Sequence, residues 1–254
     1  MTRSLYTLTL FLLLAAFAFS CARQPLPARP APGHAANQAR VGSAARDLLT
    51  DSSFTSVLIE IQYMEGFAPD TAAVANMIRF VRAHTHKPDG IRVVQEEIRS
   101  ARDTLYSLDE LVALEKANRR FYNEGKELAL YLLYTNGVFS ETKMLGQAYS
   151  ATSAVLFGKN IIENSNTARR PTRSNLETKV VQHEIAHLMG LVNVGTPLQS
   201  GHKDNANGKH CSNRKCLMYY GTDTEESPSL AMARKPLPVL DEACLADLRA
   251  NGGK

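Results

Sequence analysis

The chain has no stripe of basic residues. Its 29 Lys and Arg stand against 25 Asp and Glu, and the charges are spread along the length, so the net charge of +4 does not suggest nucleic acid as a partner. It shows no internal repeat, which argues against a repeat array. Tryptophan is absent, and that excludes nothing. Long apolar runs are absent too. The run from Leu5 to Phe19 is too short and too weakly flanked to cross a bilayer as a helix.

What that run does resemble is a signal peptide. Arg3 supplies a short positive region before it, and it ends Ala18-Phe19-Ser20-Cys21. This ending resembles a bacterial lipobox, which implies a mature protein that starts at Cys21 and carries lipid there. A plain secretory signal with an incidental cysteine is the other reading. Either way the chain is expected to be exported, and the lipobox places it at the bacterial cell envelope, anchored to a membrane. Arg23 to Gly33 is rich in Pro and Ala, cannot bury a core and reads as an extended tether, with His34 at its edge. It is too short for a folded inhibitory pro-segment. The expected division is 1–20 signal, 21–45 lipidated cysteine and tether, and 46–254 a single domain of roughly 210 residues, enough for one core.

Export permits disulfides. Beyond Cys21 the cysteines are Cys211, Cys216 and Cys244. That odd count either leaves one thiol free or puts three cysteines on a metal.

In the folded part, Phe54 to Tyr63 alternates with Val57, Ile59, Ile61 and Tyr63 on one face, the pattern of a strand. Asp70 to Ala83 carries Val74, Met77, Ile78 and Val81 at helical spacing. Ile91 to Ile98 reads as a second strand. Ser107 and Glu110 form a capping-box pattern before a helix bearing Leu111, Val112, Leu114 and Phe121. Glu127 to Tyr134 is a continuous apolar strand, expected at the centre of the sheet, and Ser153 to Ile161 is another strand. Ser174 and Glu177 repeat the capping-box pattern before the next helix. A long irregular segment and a short helix near Leu240 to Arg249 complete the chain.

That next helix carries His183-Glu184-Ile185-Ala186-His187-Leu188-Met189-Gly190. Residues four apart share a helix face, so His183 and His187 can point at one Zn²⁺. Glu184 stands beside the metal, placed to act as general base toward a water. Gly190 suits a helix end that needs a left-handed residue. Two imidazoles do not complete a catalytic zinc site, so a third protein ligand is required.

The run HExxHxxG resembles the metzincin zinc peptidases, whose motif continues xxH. Here the position three past Gly190 is Asn193, a poor zinc ligand beside imidazole. Further on stands His210-Cys211-Ser212-Asn213-Arg214-Lys215-Cys216-Leu217-Met218, which resembles the archaemetzincin pattern of a third zinc His followed by Cys, x4, Cys, x, Met. That resemblance implies His210 as third ligand and Met218 as the Met-turn residue beneath the site. It puts residues 191 to 209 where the family has only two, an insertion of 17. It also implies an α/β (α+β) fold with a twisted mixed sheet, an active-site helix, and an edge strand for extended substrate, expected at 153–161. In some metzincins a Tyr two residues past the Met contacts the metal or the oxyanion, a role that falls on Tyr220 here.

The archaemetzincins carry a later CxxC that completes a four-cysteine structural zinc. This chain has only Cys244 there, so a Cys211–Cys216 disulfide is expected, with Cys216–Cys244 as the alternative. Two further alternatives concern the third ligand: His202, in Gly201-His202-Lys203-Asp204, or Glu242 in a gluzincin-like arrangement. Asp204 itself reads as a turn residue. The chain is therefore expected to be a zinc metalloprotease with one catalytic Zn²⁺ and a protein or peptide substrate, and a non-catalytic zinc-binding surface lipoprotein is the alternative.

Overall fold

A computed structural model describes residues 34–101, 104–139, 144–167, 170–222 and 237–254. The expected signal segment, Cys21 and most of the expected tether lie outside these. Among the described residues no helix is long and apolar enough to cross a membrane. The elements are α1 (Ala45–Leu49), β1 (Ser56–Met64), α2 (Thr71–His84), β2 (Gly90–Ile98), β3 (Leu105–Tyr106), α3 (Leu108–Asn118), β4 (Glu127–Thr135), β5 (Val138–Phe139), β6 (Gly146–Ala148), β7 (Ser153–Phe157), α4 (Gly158–Glu163), α5 (Arg173–Leu188) and α6 (Glu242–Ala250).

Five strands form one mixed sheet in the order β2-β1-β4-β7-β6, and β3 pairs with β5 apart from it. Neighbours in the large sheet run parallel except β6, which lies antiparallel to β7 at the edge. Parallel neighbours need crossovers, and α2 and α3 supply them between β1, β2 and β4. The expected α/β fold class is met.

β4 is central, as its unbroken apolar run requires, because both of its faces are covered. Leu128, Leu130, Leu132 and Tyr134 join α2, α5 and α6 in one core, while Tyr131 and Leu133 turn to a second core with Leu111 of α3 and Phe157 of β7. This is the period of two of a strand, with an apolar layer on each side.

The second face also holds a buried polar network. Arg119, fully buried, pairs with Glu115 at 2.7 Å and donates to the Ala129 and Phe121 carbonyls and to Thr152 and Ser153. Glu60 of β1 accepts from the Arg120 and Phe121 amides. Burial pushes the Glu60 carboxyl above its usual range, and those two amides pull it back.

Several expectations need correction. Packing starts before residue 46: Asn37 is buried and bonds Asn123, Ala129 and Thr152, and the His34 ring stacks on Tyr122. The stretch 34–45 therefore belongs with the domain. The strand expected over Ser153 to Ile161 ends at Phe157 and becomes α4. Gly158 allows this turn, because a Cβ there would meet the Thr135 carbonyl at 2.9 Å and the Phe67 ring at 2.8 Å. Moreover β7 is internal, so the edge strand is β6 rather than 153–161. The second capping box does not form. Thr172 caps α5 by accepting from Asn175, while Glu177 reaches away to accept from the Asp70 amide at 2.7 Å and from Arg173. Glu177 thereby ties the start of α5 to the N-cap of α2. The capping box of Ser107 and Glu110 does form, and α3 stops at Asn118, short of Phe121.

The Arg119 network gives the first prediction. Arg119→Ala leaves Glu115 buried without its cation, and breaking a buried pair in this way costs about 3–5 kcal/mol. Chemical denaturation of the variant is expected to show a loss of that order. A loss under about 1 kcal/mol, the ordinary value of an exposed pair, would mean that Glu115 finds water.

Candidate metal centre and catalytic site

α5 is buried from Leu176 to Leu188 except at Gln182. A helix enclosed on all sides holds its side chains in fixed directions, and it delivers His183 and His187 one turn apart. Each ring is then fixed by its second nitrogen. A carbonyl oxygen can only accept, so His183 Nδ1–H donates to the Leu217 carbonyl at 2.8 Å and His187 Nδ1–H donates to the Leu191 carbonyl at 2.6 Å. These two bonds turn both Nε2 lone pairs inward, 3.1 Å from each other. Two lone pairs at that separation repel unless a cation lies between them.

His210 completes the group. Its Nδ1–H donates to the Asn207 carbonyl at 2.7 Å, and its ring centroid lies 5.3 Å from those of both His183 and His187. One ligand atom from each of the three lies within 4.8 Å of the others. For zinc held by nitrogen at roughly 2.0–2.1 Å, the nitrogens of a tetrahedron stand about 3.3 Å apart. Three neutral imidazoles whose Nδ1 protons are held on carbonyls are a donor set that fits zinc and leaves a position for water or substrate. His183 and His187 are buried and His210 is half-exposed, so the group opens on the His210 side.

The insertion explains how His210 arrives. Gly190 leaves the helix at φ +89°, and a Cβ there would meet the Thr196 amide at 2.5 Å. Asn193 sits at φ +60°, a turn conformation that Asn tolerates. The Val192 amide then donates to the Lys209 carbonyl, which closes the 191–209 segment at its base. His210 thus follows Val192 in space as though the inserted residues were excised. Within the loop, Asp204 is the expected turn residue. Its carboxylate accepts from the Ala206 and Asn207 amides and from Asn207 Nδ2, and its own amide donates to the His210 carbonyl. These bonds hold Asn207, the acceptor for His210, and they depress the Asp204 carboxyl, the Asn207 side chain most of all.

Glu184 is buried next to this group. Its Oε2 accepts from the Ala148 amide of β6 at 2.6 Å. Gly146 makes the approach possible, because a Cβ there would stand 2.7 Å from Val180 and 2.9 Å from Glu184. Both β6 residues escape a reading of the sequence. A strand of three residues shows too little alternation, and the small pair Gly146 and Ala148 is its only trace.

The other candidates are placed as follows. Met218 is fully buried in the main core, and its carbonyl accepts from the Cys211 amide. Tyr220 opens a 3-10 turn, Tyr220–Thr222, with its ring 4.6 Å from that of Tyr219. Glu242 is exposed and pairs with Arg249, so it does not join the histidines and the gluzincin-like alternative is set aside. His202 is not with them either. It lies beside Cys211 and Cys244 and bonds Asp247 at 2.8 Å, and Cys211, Cys216 and Cys244 are free thiols. The expected Cys211–Cys216 disulfide is thus absent, as is its Cys216–Cys244 alternative, whose sulfurs stand 3.7 Å apart. A cavity of about 620 Å³ lies between the loop after α5 and the end of β6, lined among others by Arg40, Tyr149, Asn193, Pro197 and Lys209.

No family model matches this sequence, and no curated protein matches it. Among solved structures, an archaemetzincin from Methanopyrus kandleri is similar at 17% identity with a TM-score of 0.49, over 79% of this chain and 96% of that one. Metalloproteinase-II from Bacteroides fragilis is similar at 14% identity with a TM-score of 0.46, over 80% of this chain and 55% of that one, so this chain spans about half of its length.

The geometry predicts how the two contested positions differ. His210→Ala is expected to lower tightly bound zinc by one equivalent and to weaken that site at least a hundredfold. Asn193→Ala is expected to leave zinc content unchanged. Elemental analysis after equilibrium dialysis measures both. Equal zinc in the His210→Ala variant and the parent protein would remove His210 from the site.

Proposed function

We propose that this chain is a zinc-dependent endopeptidase of the metzincin type. The observation that carries the reading is the convergence of three imidazoles, each with Nδ1–H held on a backbone carbonyl, beside a buried carboxylate that is itself tied to the edge strand. His183, His187 and His210 would hold the ion. Zinc bound there supplies Lewis-acid polarisation of a carbonyl and a lowered pKa for water.

The chain's own groups do the rest. Glu184 takes the proton of the attacking water and passes it to the leaving amine, as a general acid–base does. The Ala148 amide fixes the carboxylate for that transfer. β6 is the sheet edge beside Glu184, and a peptide laid along it gains main-chain hydrogen bonds with little demand on sequence. Such a substrate is extended and held near the base. Tyr220, two residues past Met218, is assigned to the oxyanion.

The rival reading is a non-catalytic zinc-binding surface protein. A binder has no use for a base held against the edge strand. Glu184→Ala separates the two. It is expected to keep its zinc and to lose hydrolysis of casein or a quenched peptide by about 10²–10⁴-fold or more. Unchanged hydrolysis would sink the mechanism.

The envelope location rests on the sequence of residues 1–33. We assign Cys21 as the lipidated residue. Cys21→Ala is expected to release the protein from membranes or to leave its signal uncleaved. An unmodified N-terminus at another residue, found by mass spectrometry, would reject the anchor.

A further inference from the structure

Two parts of the chain supply neither a metal ligand nor the base, yet they meet beside the three histidines. One is the turn at 39–43, the other the 191–209 insertion. Their backbones touch: a Cβ on Gly195 would stand 2.0 Å from the Gly42 carbonyl oxygen, and a Cβ on Gly42 would stand 2.3 Å from that of Val194. The turn is also tied to the far side of the β6–β7 hairpin, where the Ala151 amide donates to the Ala39 carbonyl at 2.7 Å. The Ser43 amide and hydroxyl close it on the Arg40 carbonyl. The insertion is tied to the end of α5, where Thr196 donates its hydroxyl to Met189 and its amide to Gly190. The cavity of about 620 Å³ between these parts is therefore walled by backbone held in place.

Its lining has a definite chemistry. Arg40 comes from the turn and Lys209 from the insertion, and Asn193 adds a side-chain amide. Among the described residues no acidic side chain lines the cavity, and neither cation has an ion pair or a side-chain hydrogen bond. Val41, Val194 and Pro197 supply an apolar wall. Two unpaired cations beside an apolar wall suit a carboxylate carried on carbon, through charge-assisted hydrogen bonds to the anion and contact with its stem. The volume falls in the range of about 300–1,000 Å³ common for ligand pockets. The position matters as much. Tyr149, also in the lining, follows Ala148, whose amide holds Glu184, and Lys209 precedes His210. The cavity thus lies beyond the end of β6, next in the chain to the support of the base and to a histidine of the metal group. A peptide along β6 advances roughly 3.3 Å per residue, so residues close to the scissile bond come to its mouth.

We propose that this cavity is a substrate subsite that selects a carboxylate, with Arg40, Lys209 and Asn193 as its specificity-determining residues. The inference rests on the peptidase reading and adds a preference to it. Pairing with β6 reads only the main chain of a peptide, so any choice among substrates has to come from side-chain contacts such as these. Two sources present the same chemistry: an Asp or Glu side chain near the scissile bond, and the free C-terminus of a short peptide. The assignment gives the insertion and the 39–43 turn a shared task, which is to bring cations 169 residues apart in sequence to one cavity. Arg40 and Lys209 are both exposed, so the selection is modest and weakens as salt rises.

The test measures binding apart from turnover. Zinc-loaded Glu184→Ala protein is titrated with fluorescent peptides and followed by anisotropy. One series is amidated at the C-terminus and carries Glu or Gln at a single position, stepped along the peptide. The other has no internal acid and ends in a free or an amidated terminus. At low salt one acidic peptide is expected to bind on the order of tenfold more tightly than its neutral counterpart, and the series that shows it identifies the source. At about 1 M salt, where the Debye length is about 3 Å, the preference is expected to vanish. Added to Glu184→Ala, either Arg40→Ala or Lys209→Met is expected to remove most of the preference with zinc content unchanged. Arg40→Glu together with Lys209→Glu is expected to turn it toward peptides carrying Lys, a gain that misfolding cannot produce. Equal binding of acidic and neutral peptides in both series overturns the proposal, as does a preference that all these variants leave intact. Hydrolysis of the same peptides by the parent protein keeps the two readings apart. Cleavage with no charge preference removes the subsite alone, and a binding preference without cleavage removes the peptidase reading alone.

Discussion

The three imidazoles face one another because each ring has its Nδ1 proton held by a main-chain carbonyl. The carbonyls come from Leu217, Leu191 and Asn207. Without them each ring could turn about its own axis or bind through the other nitrogen, and no common point would exist. Most of the irregular half of the molecule can be read as support for these acceptors. The Leu217 amide is held by the Val239 carbonyl ahead of α6. Leu191 lies in the turn that Gly190 allows, and Asn207 is held by the Asp204 carboxylate. An imidazole fixed through its far nitrogen is also a more basic ligand, so the same bonds serve orientation and affinity.

The sheet serves this arrangement by burying α5. A helix packed on nearly every side cannot rotate or fray, and it carries two of the three histidines and Glu184. One consequence is a helix whose apolar residues do not form a clean stripe, because its polar residues are buried as well. Glu177 is used to dock on α2, Glu184 reaches β6, and the two histidines reach the loop carbonyls. Each has a partner, as buried polar groups require.

Much of this was legible in the sequence for particular reasons. β1, β2 and β4 carry enough residues for period and continuity to show. HExxH is legible because helical spacing alone places its residues. His210 was reached only through the Cys-x4-Cys-x-Met run, since an insertion destroys any spacing argument. Other features were hidden. β6 is three residues long and small-sided. The Ser174 pattern is a capping box in letters, but Thr172, two residues earlier, takes the N-cap, and Glu177 has a tertiary partner. The α4 segment reads as strand because Ile161 and Ile162 continue an apolar run that Gly158 in fact turns. The burial of His202 rests on Asp247, 45 residues away, and no local pattern encodes that distance. The disulfide expectation failed because cysteine spacing in the chain does not fix how the sulfurs meet in space.

The central claim is that one ion is shared by His183, His187 and His210. Anomalous diffraction at the zinc edge, on crystals of the zinc-loaded protein, tests it most directly. The account predicts a zinc peak bonded to Nε2 of all three residues at about 2.0–2.1 Å. No anomalous peak among these rings, or a peak there that His210 does not touch, would contradict it.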